Sequence, residues 1–351
     1  MRTGLIGCGN IGKTHAAALA TLPESEFTAC CDSDEGRARA LAERHGVARV
    51  YTDPVEMLRG GAVEAVCVCT PHPSHAPLVV AAAEAGVHVL CEKPMTVSLA
   101  EADRMIAAAR RAGIRLGVIF QRRFWPAAQR IRAAIDAGKL GVPTLAECSA
   151  RLWRPESYFA ADPWRGKWAT EGGGVLMNQA VHVLDLFQWF MQPAGPVVEI
   201  VGRYAKLAHG DYIDVEDTAV ATVVFASGAL GTIQAATTVN PALGFRVVVY
   251  GANGASAGVW EQPEGVEGVN DLWTVAGEEH YLAVWDEAIE KRPGFPGFHA
   301  SQIQEFLQAI QQDRDPAVTG EEARKSLAMI LAIYESSRTG QPVRLAPASV
   351  A

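Results

Sequence analysis

The segment Gly7-Cys8-Gly9-Asn10-Ile11-Gly12 constrains the fold more than any other stretch of the chain. It follows a short apolar run at 3–6 and opens a helical pattern at 13–20. In that setting the three glycines have separate physical uses: a tight turn, close approach of backbone to a pyrophosphate, and close packing of helix on strand. The first helix amides and the positive end of the helix dipole then favour phosphate. The segment therefore predicts the strand–turn–helix of a dinucleotide-binding domain, with Gly7, Gly9, Asn10, Ile11 and Gly12 at the ligand. The competing reading is a glycine turn with no ligand. Asp32 stands 20 residues beyond Gly12, at the end of the second apolar run. A carboxylate there accepts hydrogen bonds from the adenosine ribose and repels a 2′-phosphate, which favours NAD over NADP. Asp34, two residues on, competes for that role, and either one also reads as a surface acid ending a strand.

The pattern repeats. Apolar runs at 3–6, 27–31, 49–51, 65–69, 88–91 and 115–120 alternate with helical patterns at 13–20, 35–44, 54–59, 74–85 and 99–112. The runs are almost continuously apolar, as expected of strands covered on both faces. Such alternation predicts an α/β domain with a doubly wound parallel sheet, the Rossmann arrangement. Ligands of such sheets lie outside the carboxyl ends of the strands. Two motifs fall there: Thr70-Pro71-His72-Pro73-Ser74-His75 after the fourth run, and Glu92-Lys93-Pro94 after the fifth. Lys93 is thereby poised over the cofactor, or else is a solvated surface lysine.

Beyond residue 121 the pattern changes. A helix is predicted at 126–137, then alternating runs at 144–152, 197–208, 216–225, 229–239 and 245–250, with Ser227-Gly228 as a hairpin signal. The expected domains are 1–121 and 122–351, the second an α/β domain with an open, mostly antiparallel sheet. Late helices are predicted at 299–312 and 319–339, before a loose Pro- and Ala-rich end. Glu171-Gly172-Gly173-Gly174 leads a further helix at 175–191, on which Asn178, His182 and Asp185 share one face. They form a candidate site, although a histidine on an apolar helix is also a common core residue. Just upstream, Trp153, Tyr158, Trp164 and Trp168 with Arg154 and Arg165 suit a polyhydroxylated ring, or a packed core corner. His299 begins a late helix, either within reach of substrate or as a simple helix-start histidine.

Composition excludes several classes. The formal net charge is −8 with no dense run of Lys or Arg, which argues against nucleic acid. No apolar run is long enough to span a bilayer, and no targeting segment precedes the first strand. The seven cysteines are odd in number and lack a CxxC, so neither a disulfide framework nor a metal site is expected. A reducing cytoplasm is the matching compartment.

Taken in order, the Gly7–Gly12 motif, Thr70-Pro71 with His75, Glu92-Lys93-Pro94, the segment 121–124, Trp164-Arg165-Gly166 and the segment 172–185 resemble the Gfo/Idh/MocA oxidoreductases over nearly the whole chain. The resemblance implies NAD and a sugar or cyclitol substrate, with transfer of hydride from a secondary alcohol, in a homodimer or homotetramer. By position it implies Lys93 as the catalytic lysine and His182 as the acid–base histidine, with Asn178 orienting a group at the reaction centre. It extends the cofactor set to Thr70, Pro71, His75, Glu92, Lys93, Gln121, Trp164 and Arg165. The implied substrate set is Lys93, Arg123, Tyr158, Trp164, Asn178, His182 and His299. Many inositol-dehydrogenase-like members carry Asp where this chain has Asn178. Some relatives are instead NAD-dependent glycosidases that oxidise transiently, and some are non-catalytic sensors. For the dehydrogenase chemistry the Lys93 ammonium and the His182 imidazole must meet beside a nicotinamide ring.

Overall fold

The computed structural model describes residues 1–282 and 297–345. In chain order the N-terminal elements are β1 (Arg2–Ile6), α1 (Asn10–Leu19), β2 (Glu26–Cys31), α2 (Glu35–His45), β3 (Arg49–Tyr51), α3 (Pro54–Arg59), β4 (Ala65–Val68), α4 (His75–Glu84), β5 (His88–Cys91), α5 (Leu99–Ala112) and β6 (Leu116–Val118). There follow α6 (Pro126–Asp136), β7 (Pro143–Arg151), α7 (Glu156–Ala160), α8 (Trp168–Glu171), a π-helical turn at Leu176–Ala180, and α9 (Val181–Phe190). The remainder is β8 (Val197–Ala205), β9 (Thr218–Phe225), β10 (Leu230–Ala236), β11 (Gly244–Gly251), β12 (Ser256–Glu261), β13 (Val269–Trp273), α10 (Gly297–Gln311), α11 (Gly320–Thr339) and β14 (Val343–Arg344). The chain divides into two compact units, Met1–Gln121 with Pro296–Arg324, and Arg122–Phe295 with Lys325–Ala351. The Pro- and Ala-rich end expected to be loose lies, from residue 346, outside the described residues.

In the first unit six parallel strands run in the order β3-β2-β1-β4-β5-β6. The order reverses beside β1, where a doubly wound sheet binds its ligand. Local chemistry sets the helices. Asp34 caps α2 by accepting from the Arg37 amide at 3.2 Å, and Gly46 ends it in the left-handed region. Asp53 caps α3, with Pro54 in the first turn where no amide is missed. Leu5, Cys30, Cys67, Leu90 and Ile119 line the core.

The late helix α10 belongs to this unit, so the second expected domain, 122–351, is not one continuous unit. Ile303, Phe306 and Leu307 of α10 are buried in the same core as β1. Gln302 donates to the Val118 carbonyl at 2.8 Å and accepts from the Phe120 amide at 2.9 Å, closing the strand edge. An apolar helix face returns to whichever core it completes, whatever its place in the sequence.

The second unit holds a sheet ordered β13-β12-β11-β7-β10-β9-β8-β14. Among its described strands only β7 and β10 pair in parallel; the other pairs are antiparallel. α9 packs on β7 and β11, covering one face. Sequence patterning missed β12 and β13 because Gly258, Asn270 and Asp271 interrupt their apolar alternation. Pairing to β11 organises them instead: Phe245 to Tyr250 register against Glu261 to Ser256.

Candidate active site

The first unit carries the candidate nucleotide cradle at the end of β1. Gly7 has φ +98°, outside the range of ordinary residues, and its amide donates to the Cys31 carbonyl at 2.8 Å. A Cβ on Gly12 would stand 2.0 Å from the Gly7 carbonyl oxygen, so only glycine lets the helix pack so close to the turn. A Cβ on Gly9 would meet nothing within 4 Å. Gly9 also begins α1 without a side-chain cap, so neither a cap nor a Cβ stands in the way of a ligand at the leading amides. Asn10 is exposed and Ile11 half-buried on that first turn. The structure separates the two candidate acids. Asp32 Oδ2 accepts from the Cys8 amide at 2.7 Å and so lies against the glycine turn, whereas Asp34 is the cap of α2.

Two further strand ends join this cradle. The His75 ring nitrogens face the Thr70 carbonyl at 2.8 Å and the Pro94 carbonyl at 2.9 Å, so one buried imidazole ties the loop after β4 to the loop after β5. Pro71 is exposed beside half-buried Thr70. After β5, Glu92 is buried and Lys93 half-buried. Glu92 Oε2 accepts from the Lys93 amide at 3.1 Å, and Oε1 lies 2.8 Å from His15 Nε2 on α1. Burial alone would raise the Glu92 pKa. The His15 hydrogen bond and the charges of His15, His299 and Lys93 outweigh it and hold the acid down to about 2. His299, expected among substrate ligands, is buried in this unit, with Nε2 3.9 Å from Glu92 Oε1 and its ring edge-on to His15. Gln121 is buried, and its side-chain carbonyl has no protein partner among the described residues. An orphaned acceptor, an open Gly9 and an uncapped helix start together fit a dinucleotide.

The second unit builds a different cluster around the glycine-led helix. Gly172 and Gly173 take φ of +78° and +153°. A Cβ on Gly174 would lie 1.9 Å from the Glu216 carbonyl oxygen. These residues bring the chain against the segment leading into β9 and start the π-turn that holds Asn178, with His182 one turn on in α9. Beneath that start lies the Glu216 carboxylate, which accepts from the amides of Gly174 and Leu176 and from the Tyr334 hydroxyl at 2.7, 3.0 and 2.8 Å. Asn178 donates to Glu171, itself buried at the end of α8, and lies 3.5 Å from the Tyr158 hydroxyl. Tyr158 also receives Gln179 at 3.0 Å and Arg165 at 2.5 Å. The Arg165 guanidinium lies over both the Tyr158 and Trp164 rings. Asn178, Tyr158, Trp164 and Arg165 thus form one connected polar–aromatic group.

Arg123, expected at the substrate, is buried and bidentate to Asp185 at 2.7 and 2.7 Å. Asp185, expected to share a face with Asn178 and His182, lies three residues after His182 in α9 and accepts both bonds from Arg123. Trp168 is partly exposed, with Nε1 donating to the Asp214 carbonyl at 2.7 Å, and packs against Tyr204 and Tyr334. His15, Glu171, Glu216 and Tyr334 had no role in the sequence reading. Of these, Glu171 carried a signal: an acid directly before three glycines.

Residues 1–120 match the model of an oxidoreductase family with an NAD-binding Rossmann fold, and residues 132–345 match that family's C-terminal α/β domain. The chain belongs to the Gfo/Idh/MocA oxidoreductases. It is 29% identical to the myo-inositol 2-dehydrogenase of Thermotoga maritima, over 98% of each chain. It is 28% identical to the D-glucoside 3-dehydrogenase of Escherichia coli, over 98% of this chain and 97% of that enzyme. The WlbA dehydrogenase of Bordetella pertussis, solved with NADH and UDP-GlcNAcA, superposes with a TM-score of 0.83 at 29% identity over 99% of each chain. As a Gfo/Idh/MocA enzyme, this protein uses NAD. The stretch matched by the family's Rossmann model, residues 1–120, contains Gly7, Gly12 and Asp32.

Proposed function

We propose that this enzyme transfers hydride between NAD and a secondary ring alcohol of a sugar, sugar derivative or cyclitol. The observation that carries the reading is Lys93. It stands at the carboxyl end of β5, its amide held by a buried carboxylate, in the unit that carries the nucleotide cradle. Bound NAD supplies the hydride acceptor. His182 takes the hydroxyl proton, the general-base role that imidazoles most often fill. The Lys93 ammonium suits the stabilisation of negative charge developing on a substrate oxygen. Asn178 orients a hydroxyl, and Tyr158, Trp164 and Arg165 offer a flat, polar wall to a hydroxylated ring. Thr70, Pro71, His75, Glu92 and Gln121 support the cofactor side.

The test is a panel of sugars, cyclitols, sugar acids and a UDP-linked sugar acid, followed at the NADH absorbance. The relatives named above act on or bind three of those classes, which sets the panel. On the best substrate, Lys93→Ala and His182→Ala should retain NAD binding and lose at least about 10²-fold in kcat. Parent-like turnover in both variants ends the assignment.

We also infer a homodimer or homotetramer through the uncovered sheet face, where Leu145, Val201, Val220 and Leu230 are exposed on adjoining strands. Light scattering showing a monomer at micromolar concentration would contradict it. The seven buried, unbridged cysteines support a reducing compartment, and among the described residues no helix is long and apolar enough to cross a membrane.

A further inference from the structure

We propose that His75 is a positioning residue for Lys93, and that its neutral ring, with one N–H to give and two carbonyls to serve, ties either the loop after β4 or the loop after β5 but not both at once. The inference deepens the dehydrogenase reading and rests on it only for the turnover arm of the test.

Every group concerned lies in the first unit. His75 opens α4 and is 0% exposed, so no ligand reaches the imidazole and it acts through what it holds. Its Nε2 lies 2.8 Å from the Thr70 carbonyl oxygen and its Nδ1 2.9 Å from that of Pro94. A carbonyl only accepts, so each contact is a hydrogen bond only when the nitrogen on its side carries hydrogen. A neutral imidazole has one N–H; its other nitrogen turns a lone pair toward the second carbonyl. Only the imidazolium donates to both.

The two ties differ in what they fix. Thr70 is five residues away along the chain, and Ser74 Oγ already donates to Thr70 Oγ1 and to the Pro71 carbonyl, each at 2.7 Å. The Thr70 bond is thus one of several local fastenings of its loop to the base of α4. Pro94 is nineteen residues away and directly follows Lys93. Lys93 therefore stands between two fastenings: its own amide donates to Glu92, and the carbonyl of the next residue faces His75. Only the tautomer with hydrogen on Nδ1 makes the second.

The groups facing the ring are the backbone of Thr70, Pro94 and Met95, the Glu92 carboxylate after β5, and His72, whose ring centroid is 5.9 Å away. Burial is the largest influence and pushes the His75 pKa below its ordinary 6.5. The carbonyls and the Glu92 charge pull the other way without overcoming it. Above neutral pH the ring therefore shares one proton between two loops.

Two substitutions separate the ties. The amide nitrogen of Asn is one bond from Cγ, as Nδ1 is; that of Gln is two bonds from Cγ, as Nε2 is. His75→Asn should keep the Pro94 tie, and His75→Gln the Thr70 tie. Hydrogen exchange reads both loops without substrate. In His75→Gln the segment 92–96 should exchange about fivefold faster than in the parent while 70–74 is unchanged; in His75→Asn the pattern should reverse. Packing alone predicts that both segments loosen together, and more in His75→Asn, whose side chain is smaller. A variant that loosens both segments, or neither, overturns the proposal. In the parent with 15N-labelled histidine, one His75 ring nitrogen should carry hydrogen at pH 8, with both protonated only below pH 6.5. The ring is assigned through bonds to its own backbone, so this measurement stands whichever variant folds. Two protonated nitrogens at pH 8 overturn the sharing. With a substrate from the panel and saturating NAD, kcat of His75→Asn should exceed that of His75→Gln at least about fivefold, against the order of size. Equal kcat values end the role at Lys93. If no substrate is found, exchange and the ring spectrum still decide what His75 holds, and the dehydrogenase reading fails separately.

Discussion

Replacing Glu216 with glutamine should make the second unit more stable above neutral pH and slightly less stable in mild acid. The carboxyl is 2% exposed, beneath the start of the glycine-led helix. Burial is the dominant influence and raises its pKa from 4.5 to about 7, even though Gly174, Leu176 and Tyr334 donate to it. Below about pH 4.5 the group is protonated whether the chain is folded or not, so it costs nothing. From there to about pH 7 the unfolded chain ionises while the folded one keeps its proton, and stability falls as pH rises. At about 1.4 kcal/mol per pH unit the full loss is roughly 3 kcal/mol, complete above about pH 7. The Glu216→Gln side chain cannot ionise and escapes that loss, at the cost of about 1 kcal/mol for a weaker acceptor at every pH. The difference between variant and parent should therefore reverse sign between about pH 4.5 and about pH 8. For a unit of this size that swing is roughly 6–12 °C in the midpoint. Scanning calorimetry of both proteins across that range measures it. A midpoint difference that does not change with pH refutes the reasoning.

The other predictions concern the first unit and the proposed reaction. Asp32→Ala should weaken NAD by roughly 10–100-fold, from loss of charge-assisted hydrogen bonds, and should narrow the preference over NADP, read from KM for each cofactor. His15→Phe leaves the Glu92 carboxylate buried without its imidazole and should cost about 3–5 kcal/mol in denaturant unfolding. Because the Glu92 pKa is depressed to about 2, the parent's contribution from this pair is intact above about pH 4.5 and is lost as pH falls toward 2; the variant should lack that acid limb. Together with the Lys93 and His182 variants, these measurements separate cofactor binding, chemistry and folding.

Much was legible in the sequence where a local rule fixes the outcome. Gly7 and Gly12 had to be glycine for reasons visible in their spacing, and the structure shows them: a left-handed φ at one and a 2.0 Å backbone approach at the other. Continuous apolar runs read correctly as buried parallel strands because covering both faces leaves no alternation to mislead. The helical pattern at 54–59 is α3, which Pro54 opens and the Asp53 side chain caps. By contrast, β12 and β13 are short and polar-interrupted, and exist because β11 offers them an edge.

The candidate site divides the same way. Sequence marked Lys93, His182 and Asn178, and placed Arg123 and His299 with them at the substrate. Only the tertiary structure shows Arg123 bonded to Asp185 and His299 beside Glu92. It also set Asp32 against the Cys8 amide and Asp34 at the cap of α2. By itself the sequence determined the strand–turn–helix at Gly7–Gly12, since its constraints act between neighbours along the chain. The partners of the buried carboxylates Glu92, Glu171 and Glu216 were decided only by the folded chain. In each of these a carboxylate and its donor come from separate elements, and no local pattern records which donor arrives.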